Sequence, residues 1–570
     1  MRAWGWGLTV LCALGVVVAS LAHWPVSPSL SLGPLAATGF DFQWSTPRKT
    51  TFTALPWPTL RATDVRLANA DGSVKLSAPR VEAQLDLFDL ARGRFSVTGV
   101  KFKGLSAEVD LDRALQDPQF LRLPPPIRVE IQSGHAVFTR ASHAPLEFDS
   151  ARVALDWGGR EGPLSFTANA RSGGEPIVVQ ARIASPQAAM TGQFTPSWLH
   201  ATTPPVDIDF DGNLRAFGKT QVEGRVAASL HSPNLITRAL ALAAPPPFSD
   251  SPILAAGHIT AGRDALALDE ASLTVGGQHF DGALTLARRI EGWSVEGTLD
   301  SRALDLAALF GPPPAALDGR EKWSRSPILP APNDKIDIDM RVSTAHAVWG
   351  PHQVGEAAAT VLQRGGRLTI RLLEAEAYSG SLTGELNVQS NAGQDDVHFE
   401  AGLTNADLGA LSAQWGGPPI EGRAALTVHF DGVGRSPAAL AASAKGAARV
   451  DLGPGSISGV NFEEVLRRSQ RRSLDLTRDM MVGHTRFAAG RAAVDFSNGE
   501  ARIVDAAIEG PGASVQATGS LDLRARTCSA RLEASQKGAN GLATPDGARL
   551  AFDLAGPWSG PSITLSTVSD

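Results

Sequence analysis

The stretch Gly212–Thr220 (GNLRAFGKT) comes closest in the chain to a phosphate-binding loop. Such a loop needs G-x-x-x-x-G-K-[ST], so that backbone amides cradle the phosphate oxygens and the lysine reaches them. One residue too many separates Gly212 from Gly218, so the stretch reads as a link between strands. Gly432-x-Gly434 sits between a strand pattern and a helix signal, as a dinucleotide loop would, but Pro437 occupies the third glycine position and the neighbours read as antiparallel strands. It is a turn. The chain has no G-x-S-x-G elbow and no H-E-x-x-H pair, and its 12 histidines, among them His258, His279, His346 and His352, are scattered without ligand spacing. Asp86, Asp207 and Asp337 fall on the polar beats of strand patterns, where solvation explains them without acid–base chemistry. No catalytic residue, no cofactor-binding residue and no metal ligand is therefore expected, and the chain does not read as an enzyme. One charged cluster stands apart: Arg467, Arg468, Arg471 and Arg472 follow a helix start and could meet lipid head groups or an acidic partner, or simply face water.

The elements around these residues are strands. Apolar and polar residues alternate in Val81, Ala83, Leu85 and Leu87 against Glu82, Gln84 and Asp86, the period of a half-buried strand. The pattern returns at Ile127/Val129/Ile131, Val206/Ile208/Phe210, Ile336/Ile338/Met340, Leu426/Val428/Phe430 and Leu550/Phe552/Leu554. The links look too short for helical crossovers, which predicts antiparallel pairing. From Val97 to Val100 and from Phe102 to Leu105 the apolar parity switches across Gly99 and Gly104. A bulge or tight turn at each would keep one face apolar while bending the sheet. The segment from Ala261 (AGRDALALDEA) matches that from Gly365 (GGRLTIRLLEAEA), and LDSRALDLAALFGP from Leu299 matches LTNADLGALSAQWGGP from Leu403. Both matches have one offset, 365 − 261 = 403 − 299 = 104, and a weaker copy begins at Gly499. Stacked copies of one β unit are the expected result. Short helices are signalled by Ser436-Pro437 with Gly446 as their stop, and by Asn461 with Glu464, whose helix would bury Phe462, Val465 and Leu466.

Composition agrees. The chain has 43% hydrophobic and 19% charged residues, while 57 Gly and 38 Pro break it too often for long helices. The formal charge, 52 − 58 = −6, provides no basic field for nucleic acid. Cys12 and Cys528 lie far apart, which leaves neither a disulfide framework nor a thiolate metal cluster. At the N-terminus, Ala3–Ala22 carries no charge, and its length matches the ~20 helical residues that cross a hydrocarbon core of about 30 Å. Arg2 and the α-amino group would hold that end in the cytoplasm and export the rest, with Trp4, Trp6 and Trp24 at the interfaces. A cleaved signal peptide is the competing reading, since Val18, Ser20 and Ala22 offer a cleavage pattern. The apolar run is longer than the usual ~7 to 15 residue signal core, which favours a retained single-pass anchor.

LPWPTLRATDVRLANADGSVKLSAPRVEAQLDLFDLARGRFSVTGVKFKG (Leu55–Gly104), placed behind one N-terminal crossing, resembles the start of an AsmA-family protein. GRAALTVHFDGVGRSPAALAASAKGAARVDLGPGSISGVNFEEVLRRS (Gly422–Ser469) and TRFAAGRAAVDFSNGEARIVDAAIEGPGASVQATGSLDLRAR (Thr485–Arg526) are similar to that family's C-terminal region, the more specific match. The resemblance implies an inner-membrane-anchored periplasmic protein, with a long curved antiparallel β-sheet shaped as a groove, that carries phospholipid toward the outer membrane. The family's older description, assistance to outer-membrane protein assembly, implies an envelope protein as partner instead. In the first reading alternate side chains of a concave face, Val81, Leu85, Leu87, Phe95, Val97, Val100 and Phe102, would line the groove at ~0.8 kcal/mol per sheltered CH₂, with head groups left in water. The expected layout is an anchor over 1–24, an N-terminal β-region over 25–245, a central β-repeat over 246–420 and a C-terminal β-region over 421–570, with proline stretches at 124–126, 245–247, 312–314 and 418–419 as boundaries. A closed sandwich core would produce the same alternation as an open groove.

Overall fold

A computed structural model describes residues 49–69, 72–94, 96–114, 126–140, 145–159, 162–216, 220–232, 251–290, 292–311, 323–325, 327, 335–391, 394–415, 419–459, 461–469, 483–538, 547–558 and 560–566, together with the backbone of 24–25 and 42–44. The fold is mainly β, with a few short helices. Contacts group the chain into two units, one formed by Met1–His231 with Leu254–Arg263, the other by Ser232–Ile253 with Asp264–Asp570. The anchor segment Ala3–Ala22, Phe95 and most of the proline stretches lie outside the described residues. Among the described residues no helix is long and apolar enough to cross a membrane.

In the first unit Lys49–Thr53, Thr59–Asn69 and Val74–Leu85 form an antiparallel run. Val74–Leu85 then pairs with two short strands laid end to end, Val97–Lys103 and Ser106–Asp110. Gly104 makes the break between them at φ +73°, and an extra residue at Thr98 shifts the register between Gln84↔Gly99 and Leu85↔Val97. Both glycine irregularities read from the parity switches are thus present, and both keep the apolar side chains on one face. The alternation does not run on to Leu87. Asp86 accepts a hydrogen bond from the Asp89 amide (2.9 Å) and caps the helix Leu87–Ala91, so the strand stops at Leu85. From Ile127–Thr139 onward the unit is a meander through Leu146–Trp157, Leu164–Ser172, Glu175–Ile183, Thr195–Thr203, Val206–Arg215 and Gln221–Leu230.

The second unit repeats this plan from Ala265–Val275 to Ser562–Ser566. The internal repeat is structural as well as sequential. Ala265–Val275 pairs with Gln278–Arg289 through a bulge between Leu268 and Ala271, and Arg367–Ala377 pairs with Gly380–Asn391 through a bulge between Leu372 and Ala375. Those positions are offset by 372 − 268 = 375 − 271 = 104. Glu270, inside the first bulge, takes a left-handed φ of 49°. Asn461 accepts a hydrogen bond from the Glu464 amide (2.9 Å) and caps the helix Phe462–Ser469. Its Phe462, Val465 and Leu466 are buried against Ala513, Val515, Ala534 and Phe552. The helix after Ser436 covers Pro437–Ser443 and ends at Ala444, short of Gly446, which sits inside the strand Lys445–Ser458.

The expectation of antiparallel pairing holds for most of the described strands, but the sheets are mixed, and Leu304–Asp305 runs parallel to Ala347–Trp349 in a small sheet of its own. Val97–Lys103 and Ser106–Asp110 both run parallel to Ile127–Thr139, and Gly292–Ser301 runs parallel to Ile336–Thr344. The links 111–126 and 302–335 are long enough to carry the chain back to the starting end of the sheet, which a parallel neighbour requires. The second link also places the short strand Leu304–Asp305 and the helix Leu306–Phe310 on the way.

Candidate functional site

Side chains of directly paired residues point to the same side of a sheet, so the register identifies each face. In the second unit one face carries the row Leu268, Leu284, Gly297, Met340, Val361, Ile370, Leu386, Phe399, Phe430, Gly446, Phe496, Ala501, Leu521 and Cys528, each paired with the next. The row beside it runs Leu299, Val342, Ala359, Leu372, Gly384, Ala401, Val428, Ala448, Val494, Ile503, Gly519, Ala530 and Leu554. No charged residue interrupts either row. Most of these side chains are only half-buried, and Phe399 is 37% exposed.

Helices flank this floor at both ends of its central strands, Gln394–Asp407 and Ile420–Val433. At one end the helix Leu408–Trp415 brings Leu408 against Ala424 and Phe487, and Leu411 against Leu403, Ala406 and Leu426. At the other end Leu440, on the helix Pro437–Ser443, lies beside Phe430. A Cβ added to Gly432 would meet Phe430 at 3.0 Å and Leu440 at 3.1 Å. Phe399, Phe430, Ala401 and Val428 lie between the two helical walls. Among the described residues the arrangement is an apolar trough with a single sheet as its floor.

The first unit has the same construction. Phe52, Leu60, Ala83, Val100, Val129, Leu155, Phe166, Ala181, Leu199, Phe210 and Val226 form one row. Ala62, Val81, Phe102, Ile131, Val153, Ala168, Val179, Ala201 and Ile208 form the next. Of the groove residues expected from the sequence, Val81, Val100 and Phe102 lie in these rows. Val81, Val100, Leu85 and Val97 are buried in one cluster with Leu60, Val65, Ile127 and Trp157, and Phe102 packs against it. They occupy the packed end of the face, whereas the residues from Leu155 onward are half-buried. Leu87 is 50% exposed on its own helix, away from the others.

The opposite face is polar. Lys101 meets Glu130 (3.0 Å), Lys103 meets Glu82 (3.2 Å) and Arg128 meets Asp156 (2.7 Å) in the first unit; Arg371 meets Glu385 (2.8 Å) in the second. The hydrogen bond from Lys101 holds the Glu130 carboxyl below its usual range, and Arg371 does the same to Glu385. A hollow of about 690 Å³ on this side is lined in part by Arg371, Glu385, Glu400 and Arg449, charged groups that disfavour an acyl chain. The arginine cluster is described only in part. Arg467 is exposed and bonded to Glu464 (2.9 Å), the Arg468 side chain and all of Arg471 and Arg472 lie outside the described residues, and the helix face bearing Arg467 is the solvated one.

Residues 223–506 match the model of the AsmA family. The chain belongs to the AsmA family. The match takes in the segment Gly422–Ser469 and the first half of Thr485–Arg526; Leu55–Gly104 lies ahead of it. No curated protein and no solved structure matches the chain. AsmA membership and an extensive β-sheet fit envelope biogenesis and lipid transport at the level of the family.

Sequence reading missed the pairing of His398, Glu400, His429 and Asp431 on the polar face, where His398 stands directly opposite Asp431 and Glu400 opposite His429. The available signal was a repeated tetrad, Val-His-Phe-Glu at 397–400 and Val-His-Phe-Asp at 428–431, on strands that become neighbours.

Proposed function

We propose that this AsmA-family chain is a non-enzymatic, membrane-tethered envelope protein that shelters phospholipid acyl chains along the apolar faces of its sheets. The observation that carries the reading is the floor of the second unit, uncovered among the described residues, with Phe399 and Phe430 side by side between two helical walls and no charge in the adjoining rows. A single chain of about sixteen methylenes laid there would gain on the order of 10 kcal/mol from sheltering, at ~0.8 kcal/mol per CH₂. That gain needs neither nucleotide nor catalytic group. Head groups would remain in water at the rim. The uncharged segment Ala3–Ala22 supports a single N-terminal crossing with the bulk of the chain outside the cytoplasm.

The test is native mass spectrometry of the full chain extracted gently from its own membranes. Phospholipid bound to the wild type, and lost from Phe399→Asp with Phe430→Asp while hydrogen exchange elsewhere is unchanged, is the expected result. A folded wild-type chain free of lipid would sink the reading. A second reading, assistance to outer-membrane protein assembly, draws on Ser562–Ser566, a short strand that among the described residues is paired on one side, to Arg549–Pro557, with Ile563 and Leu565 exposed. Such an edge can accept a partner's strand. Crosslinking from Ile563 to an outer-membrane protein would favour it.

A further inference from the structure

We propose that His398, Glu400 and His429 form a binding site for a divalent transition metal, with zinc the best fit. The atoms these residues can offer a metal all lie within 4.8 Å of one another. His398 Nε2 is 3.4 Å from Glu400 Oε1, and His429 Nδ1 is 3.0 Å from the same oxygen. Ligands bound at ~2.0–2.1 Å in a tetrahedron are separated by about 3.4 Å. Only a small adjustment separates the present arrangement from that geometry. Imidazole with carboxylate is a zinc-type donor set, and the absence of thiolates disfavours the softest ions.

Asp431 completes the site without being a ligand. Its Oδ1 lies 2.8 Å from His398 Nδ1 and its Oδ2 lies 3.3 Å from His429 Nε2, the ring nitrogens that the metal would leave unused. One carboxylate thus accepts from both imidazoles and fixes both tautomers, the role a metal-bound histidine usually assigns to a neighbouring carboxylate. The positions are held by the sheet, because His398↔Asp431 and Glu400↔His429 are neighbouring ladder pairs with Phe399↔Phe430 between them on the apolar face. The next carboxylate in the row, Glu385, is already bonded to Arg371 (2.8 Å), whereas Glu400 faces the two histidines. The side chains are accessible, His398 at 38% and His429 at 47%, which leaves a fourth position open to water.

The full chain, without an affinity tag and stripped by a chelator, would be titrated with Zn²⁺ against a chromophoric competitor. One Zn²⁺ per chain is expected, with affinity lowered at least about 100-fold in His398→Ala with His429→Ala and about 10- to 100-fold in Asp431→Asn. Co²⁺ should give the visible absorption of a four-coordinate nitrogen–oxygen site in the wild type and not in the double variant. Hydrogen exchange over Gln394–Val433 would confirm that the variants keep their strands. Failure of the wild type to bind Zn²⁺, or equal binding by the folded double variant, would overturn the proposal.

Discussion

Phe399 and Phe552 are both strand residues, yet they should respond very differently to truncation. Phe552 is 0% exposed, packed edge-on to Phe462 with centroids 6.3 Å apart and enclosed by Val465, Leu466 and Ala513. Phe552→Ala removes a buried ring and leaves a cavity under the helix Phe462–Ser469, a change costing about 3–5 kcal/mol. Phe399 is 37% exposed, with no covering layer among the described residues, so its truncation opens no closed cavity there. Phe399→Ala loses the cross-strand contact with Phe430, about 0.2–1 kcal/mol, plus a fraction of the ring's transfer energy, for a total of about 1 kcal/mol. Hydrogen exchange on the full chain in detergent, read over Arg549–Pro557 and Gln394–Asp407, separates the cases, because about 1.4 kcal/mol is tenfold in an opening equilibrium. Phe552→Ala should speed exchange of its strand by about 100-fold or more, and Phe399→Ala by less than about tenfold. Comparable acceleration in both would mean that another layer covers Phe399, and the open-trough argument would fail.

The Glu509 carboxyl is held below its ordinary 4.5 by hydrogen bonds from Lys537 and Ser514. A depressed folded value means that this carboxylate contributes stability above its unfolded pKa and loses it as pH falls through the folded one; Lys537→Met should flatten the acid limb of a melting-temperature profile in that window. Gly446 adopts φ +129° inside a strand, and a Cβ there would run into the carbonyl oxygen of His429. Gly446→Val should therefore cost at least about 1–3 kcal/mol, read as a lower urea midpoint for exposure of Lys445–Ser458 to protease.

Much of the architecture was legible because strands announce themselves locally. The parity switches near Gly99 and Gly104 forecast a bulge and a break that are both present, and the offset of 104 forecast a repeated β unit, whose two copies prove to be hairpins bulged at equivalent positions. Asn461 marked its helix because a cap is a short-range hydrogen bond. The failures are longer in range or depend on competition. Leu87 matched the strand period, but Asp86 was better used as a helix cap. The parallel pairings required knowing which strand lies beside Val97–Lys103 and which beside Gly292–Ser301, a property of tertiary placement. His398 and His429 carry no ligand spacing along the chain, since the ladder between Gln394–Asp407 and Ile420–Val433 brings them together.

The meander beginning at Ile127–Thr139 has a consequence for how the protein is made. Each later strand of that unit needs only its predecessor as a template, so a polypeptide emerging N-terminus first can add hairpins as they appear, with little loop entropy to overcome. Val97–Lys103 and Ser106–Asp110, ahead of the meander, are exceptions. Their shared neighbour, Ile127–Thr139, is available only after the intervening link has been synthesised, and until then backbone donors and acceptors of both stand open. That interval is when a nascent chain of this kind is most prone to aggregation and most in need of an attendant chaperone.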